Sequence, residues 1–253
     1  MNDSYNQFSC FGDFISNFIE TSSDTVHLKD AETGKYINGN LRMLEIVGLN
    51  KNEEIISLTV DDIMAESGPL KGNFGHISMD WRQRQTQKFK KLDYQVKVSN
   101  RCIELQHIFF THKGHIIVES TRRFPVTDLN RKRVIATFSI SKDITLQHSL
   151  FGLLKLYQDY YSESQAIKRL LNFLAIDAYF LAQPTYTEIK ILFAMRQNAH
   201  RKYVANFLHL SADTVASHIY HIRKNKLKVP DLDSLLIQIR RIPINESSLY
   251  EYT

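Results

Sequence analysis

Few residues in this chain stand at spacings that chemistry could use. His112-x-x-His115 and His218-x-x-His221 have the separation of two ligands to one metal ion, but no carboxylate or thiol completes either set. The first pair therefore reads as turn chemistry and the second as part of a helix surface. Cys10 and Cys102 are too few for a disulfide framework in 253 residues, and neither lies in a C-x-x-C pair, which fits a reducing, cytoplasmic setting. A phosphate-binding glycine loop, a G-x-S-x-G elbow and the kinase signature set are all missing, so no enzyme is expected.

The chemistry that is left is electrostatic. Residues 184–243 hold ten Lys/Arg against four Asp/Glu, a net +6, whereas the rest of the chain holds 22 basic and 23 acidic residues, a net −1. All the excess positive charge of a +5 chain thus sits in its last quarter. A basic module joined to a neutral one points to a polyanion as its partner, above all a nucleic acid, and a solvated basic face gives the same count.

The elements that must position these residues change character along the chain. With 43% hydrophobic and 23% charged residues the composition is that of a globular protein, and the length suggests two domains. No eighteen apolar residues stand together and the first twenty residues lack a basic-then-apolar run, so neither a membrane span nor export is expected. Up to about Asp143 the pattern is strand-like, at Thr25 to Lys29, Gly34 to Ile37, Cys102 to Thr111, Ile116 to Phe124 and Arg133 to Ser141. Turn residues in His112 to His115 and Asp128 to Arg131 make an antiparallel meander of the last three. Helices are expected at Gly39 to Val47, with Leu41, Leu44 and Ile46 or Val47 inward and Gly48 as its stop, and at Phe74 to Phe89.

From Leu146 to Leu174 the period becomes helical. Leu146, Leu150, Leu153, Tyr157, Tyr160, Ser164, Ile167, Leu171 and Leu174 follow steps of four and three, the seam of a coiled coil. Ser162 followed by Gln165 also reads as a capping box that breaks the rod in two, and helices packed on their own domain give the same spacing. After Gln183 come short helices. Thr185 and Glu188 form a capping box ahead of Ile189, Leu192, Phe193 and Met195. Val204, Ala205 and Leu208 mark a second helix, and Ser211 caps a third with Asp213 in its first turn and Val215, Ile219 and Ile222 inside. His209-Leu210-Ser211 is the length a helix-turn-helix link needs, and a last helix covers Leu232 to Arg240.

The run from Pro184 through Thr185 and Glu188, then Val204-Ala205, Leu208, Leu210-Ser211, Thr214-Val215, His218 and Ile222, resembles the DNA-binding domain of the LuxR family of bacterial transcription regulators. The resemblance implies that residues after Thr214-Val215 enter the major groove, here Ala216, Ser217 and Tyr220, with Ser211 and Thr214 at the helix start. Arg201, Lys202, Arg223, Lys224 and Lys226 complete the expected DNA-binding set. The sequence departs from the family at Asn198, which replaces a turn glycine on the strength of asparagine's access to the left-handed region, at Tyr203, which replaces a glutamate, and at Ala216, which replaces a basic residue. One residue is inserted before Leu227. These changes bear on sequence preference more than on DNA binding.

The N-terminal half resembles a PAS sensor domain, through Val26 to Asp30, Gly34 to Ile37, Asn40, Gly48 and the ending Ser141-Lys142-Asp143-Ile144-Thr145. The resemblance implies a five-stranded antiparallel sheet flanked by helices and a pocket suited to a small apolar ligand. Neither cysteine has the neighbours of covalent flavin-binding relatives. Haem-binding relatives use a helix histidine, for which His76 is the candidate, although a surface or capping role is its simpler reading. The cofactor is left unknown.

The fold class expected is therefore α+β: a PAS-like domain over 14–145, a helical connector over 146–180 that could dimerise as a coiled coil, and an all-α four-helix helix-turn-helix domain over 183–243. The function expected is a cytoplasmic, homodimeric transcriptional regulator that senses a small-molecule or protein signal. The alternative is an adaptor whose helix-turn-helix no longer reads DNA sequence.

Overall fold

The computed structural model describes residues 15–70, 79–128, 130, 133–228 and 231–244. The chain divides into two compact units, Met1–Ile144 and Thr145–Thr253. His76 and Cys10 lie outside the described residues.

The first unit is α+β. Helix α1 covers residues 15–21. Then come β1 (Thr25–Asp30), β2 (Tyr36–Gly39), α2 (Leu41–Val47), α3 (Asn52–Ile55), α4 (Val60–Met64), α5 (Met79–Ser99), β3 (Ile103–Phe110), β4 (Ile116–Thr127) and β5 (Val134–Asp143). The five strands form one antiparallel sheet in the order β2-β1-β5-β4-β3, so the first and last strands pair at its centre. This is the flanked five-stranded sheet of a PAS fold, and all five expected strands are present.

Local chemistry explains the turns and caps. Asp30 closes the β1–β2 turn: its Oδ1 accepts from the backbone N–H groups of Glu32 and Thr33 and from the Thr33 hydroxyl. Asn40 is buried and joins β1 to α2. Its Oδ1 accepts from the N–H of both Val26 and Met43, and its amide donates to the carbonyls of Ser22 and Asp24. Gly48 ends α2 at φ 82°, and a Cβ there would come 2.7 Å from the His112 side chain, so glycine is required twice over. Leu41, expected inward, is instead exposed, because it occupies the first position after the Asn40 cap, on the solvent side of α2. Helix α5 runs ten residues past its expected end. Phe89, Leu92 and Val96 continue the helical spacing and stay buried through a stretch whose charged residues mask the pattern.

The second unit is helical: a 3₁₀ turn at Thr145–Gln147, then α6 (Leu150–Gln158), α7 (Glu163–Phe173), α8 (Tyr186–Gln197), α9 (Arg201–Leu208), α10 (Ala212–His221) and α11 (Leu232–Arg241). The heptad-like stretch is two helices broken between Gln158 and Glu163. The break is where Ser162 put it, although the Ser162 side chain makes no capping hydrogen bond. Leu150, Leu153, Tyr157, Ile167, Leu171 and Leu174 are all buried by the rest of their own unit, where α6 and α7 pack on each other and on α8. Phe151 lies on Phe193 of α8 and Phe207 of α9, with ring centroids 6.0 and 5.5 Å away, and Tyr203 stacks on Phe207. Of the stripe read as a coiled-coil seam, the six buried residues are thus taken up inside one chain, in a core shared with α8 and α9, whereas Leu146 and Tyr160 are half-buried and Ser164 is exposed.

Candidate nucleic-acid interface and buried cavity

In α10, Val215, Ile219 and Ile222 recur at steps of four and three and are buried, which fixes the opposite face outward. That face carries Asp213, Ser217 and Tyr220, and Lys224 follows in the turn beyond α10. Its first turn is closed by Ser211, whose Oγ accepts from the Thr214 N–H at 2.9 Å and lies 2.7 Å from the Thr214 hydroxyl. Thr214 and Ala216 are half-buried, whereas Ser217 and Tyr220 are exposed. The Lys224 ammonium donates to the Tyr220 hydroxyl at 3.1 Å, so these two side chains act as one unit. Arg201, Lys202 and Arg223 are exposed and have no acidic partner among the described residues. Lys226 differs: it is half-buried and donates to the Gln183 carbonyl at 3.1 Å.

The turn before α10 is held by His209. His209 adopts the left-handed conformation (φ 53°, ψ 43°), and the N–H of Leu210 returns to the Ala205 carbonyl at 2.9 Å. Asn198 is extended (φ −149°) and uses its Oδ1 to accept from the His200 N–H. The left-handed residue expected at Asn198 is thus absent there, because an Asx-type hydrogen bond makes that turn. Residues Ile222–Lys226, where the family resemblance implies a one-residue insertion, form a π-helical turn in which the Leu227 N–H reaches the Ile222 carbonyl. Beyond it, Leu227 pairs with Phe180, and the Leu181 N–H donates to the Lys226 carbonyl at 2.7 Å.

One anchor of α10 escaped the sequence reading. Glu188 is 2% exposed. One of its oxygens accepts from the Thr185 N–H in the expected capping box, and the other lies 3.4 Å from His221 Nδ1. The box was legible; its second duty was not, since nothing in the sequence brings position 188 to 221.

Histidines 112 and 115 lie in the β3–β4 turn as expected, and no group of three metal-ligating side chains exists among the described residues.

In the first unit a cavity of about 40 Å³ lies between the sheet and the helices α2, α4 and α5. Its lining is mixed: Met43, Ile46, Val60, Ile63, Phe89 and Phe109 supply apolar surface, and buried polar and charged side chains stand among them. Lys29 is 2% exposed, 3.2 Å from Asp93 of α5, with its ammonium 4.7 Å from the centre of the Tyr36 ring. Arg123 pairs with the same Asp93 and donates to Ser139 Oγ at 2.8 Å. His107 Nε2 is 3.2 Å from Glu119 Oε2. Glu119 Oε1 and both ring nitrogens of His27 are buried without a hydrogen-bond partner. Burial, reinforced by the positive charges of Lys29 and Arg123 and by His107, holds the His27 pKa well below its ordinary range, so its ring is neutral. The signal was present as polar residues in alternate positions, Glu119, Thr121 and Arg123 on β4 and Thr25, His27 and Lys29 on β1, which put a polar face inward.

No family model matches the chain, and no curated protein matches it. Among solved structures, the Vibrio cholera VqmA-ligand-DNA complex is 17% identical, with 94% of this chain and 91% of that chain covered and a TM-score of 0.43. The phage VqmA-DPO complex is 18% identical over 99% and 97% of the two chains, with a TM-score of 0.41. The PAS domain of Bordetella pertussis BvgS is 13% identical over 58% of this chain and 93% of its own, with a TM-score of 0.42. At such identities and scores the likeness says nothing of what this chain binds.

Proposed function

We propose that this chain is a transcriptional regulator in which a PAS-like domain over 14–145 senses a small molecule and controls a LuxR-like helix-turn-helix output over 183–243, joined through 146–180. The observation that carries the reading is the outer face of α10, a capped helix whose apolar side is buried and whose other side offers Ser217 and Tyr220, with Arg223 and Lys224 exposed in the π-helical turn that follows it. Backbone phosphates would be met by Arg201, Lys202, Arg223 and Lys224, and base edges by Ser217 and Tyr220. Lys226 serves the loop at Gln183 instead. A homodimer, which half-site reading of DNA requires, would draw on surfaces other than the buried stripe of α6 and α7.

The cavity suits a small polar signal. It holds room for a few non-hydrogen atoms, and a ligand that donates a hydrogen bond to Glu119 and meets the neutral His27 ring would satisfy atoms that the protein leaves unpaired.

The test is duplex-DNA affinity against salt. Arg223→Gln with Lys224→Gln should lower the slope of log affinity on log salt by about 1.8, from about 0.9 per phosphate contact. Affinity that is absent at low salt, or independent of salt, would defeat the proposal in favour of an adaptor role.

A further inference from the structure

Away from the basic segment 184–243, a concentration of unpaired positive charge lies in the first unit, on α5. Its 21 residues carry six Lys/Arg against two acids. One of those acids, Asp93, is turned inward, where Lys29 and Arg123 take both its oxygens. The other, Asp80, stands in the first turn, one turn before Arg84 but without an ion pair to it. Three of the cations are neutralised by neighbouring elements: Arg82 by Glu66, Lys90 by Asp61 and Lys97 by Glu32. Arg84, Lys88 and Lys91 are not. They are exposed, have no acidic partner among the described residues, and follow one another at steps of four and three, which puts them on one face. Together they span about 10 Å along the helix at 1.5 Å per residue. Tyr94, 65% exposed, extends the same surface by one turn.

Overall neutrality of everything outside 184–243 hides this segregation. A solvated surface mixes its signs, whereas here acids from other elements are spent on one flank of α5, and the adjacent flank beyond Asp80 in the first turn carries only basic charges, Arg84, Lys88 and Lys91.

We infer that this face of α5 is a second polyanion-binding surface that holds the phosphate backbone of duplex DNA. For its partner the inference rests on the proposed DNA-binding role. Three point charges one helical turn apart suit a row of phosphates, and a tyrosine hydroxyl can donate to a phosphate oxygen. A membrane is the poorer fit. The apolar face of α5, with Phe89, Leu92 and Val96, is buried in the unit's own core and has nothing to insert into lipid. Such contacts carry no sequence information, so they would strengthen binding to every sequence alike.

The test uses the full chain with Arg84→Gln, Lys88→Gln and Lys91→Gln combined, on a duplex several helical turns long, with operator-like and random sequences compared. The slope of log affinity on log salt should fall by up to about 2.7, equally on both sequences. Lys88→Gln alone, which removes one exposed side chain, should lower it by about 0.9 and guards against a folding defect in the triple variant. An unchanged slope in both variants overturns the inference. So does an unchanged slope accompanied by lost binding to phosphatidylserine vesicles, which would assign the face to lipid. If the α5 variants lower the slope but Arg223→Gln with Lys224→Gln does not, this surface stands and the helix-turn-helix reading fails; the reverse outcome sinks this surface alone.

Discussion

Lowering the pH should destabilise the first unit through one residue, His27. Its ring is buried, both nitrogens lack partners, and Lys29 and Arg123 stand beside it, so protonation is disfavoured in the folded state. In the unfolded chain the same ring titrates near the ordinary histidine value of 6.5. Below that value the unfolded state holds a proton that the folded state lacks, so stability is present above pH 6.5 and is lost as pH falls. A folded ring that takes up no proton over this interval sets the upper bound, about 2 kcal/mol of linkage between pH 7.5 and pH 5.0. His27→Phe keeps a ring edge against Tyr36 and removes the titration. The stability of the parent should therefore fall by up to about 2 kcal/mol more than that of His27→Phe over this interval. The chain has one tryptophan, Trp81, which sits in this unit with its ring 4.8 Å from that of Phe110. Its fluorescence during denaturant unfolding reports this unit without interference from the other. Parallel pH profiles for parent and variant would refute the reasoning, since a ring that gains its proton as easily folded as unfolded contributes no slope.

Other outcomes follow from the second unit. Leu153→Glu with Leu171→Glu should unfold that unit, at a cost on the order of 4 kcal/mol or more, and should not simply convert a dimer to monomers; far-UV circular dichroism with sedimentation separates the two. His209→Gly should raise stability by about 1 kcal/mol, because glycine adopts the left-handed conformation without the penalty a side chain brings, and a loss in denaturant midpoint would show that the imidazole has a further role. Ser211→Ala should cost about 1 kcal/mol by leaving the Thr214 N–H uncapped, measured by the same unfolding curves.

The sequence by itself determined the features whose causes are local. Thr185 with Glu188 and Ser211 with Thr214 are caps because a side-chain oxygen three residues before a free N–H can reach it in any setting. Gly48 ends its helix for a backbone reason, the five strands are legible from alternation, and the uneven charge is a matter of counting. Tertiary structure alone decided what covers each face. The spacing from Leu146 to Leu174 specifies a buried stripe but not what buries it, and only the fold shows most of that stripe packed between α6, α7 and α8 of the same chain. In the same way, alternation on β1 and β4 marks two faces without saying which is inside. The rule that polar residues face water fails there because Asp93 arrives from α5 to neutralise Lys29 and Arg123, and because His107, from β3, meets Glu119. Burial of charge is permitted by partners distant in sequence, and only the fold brings them together.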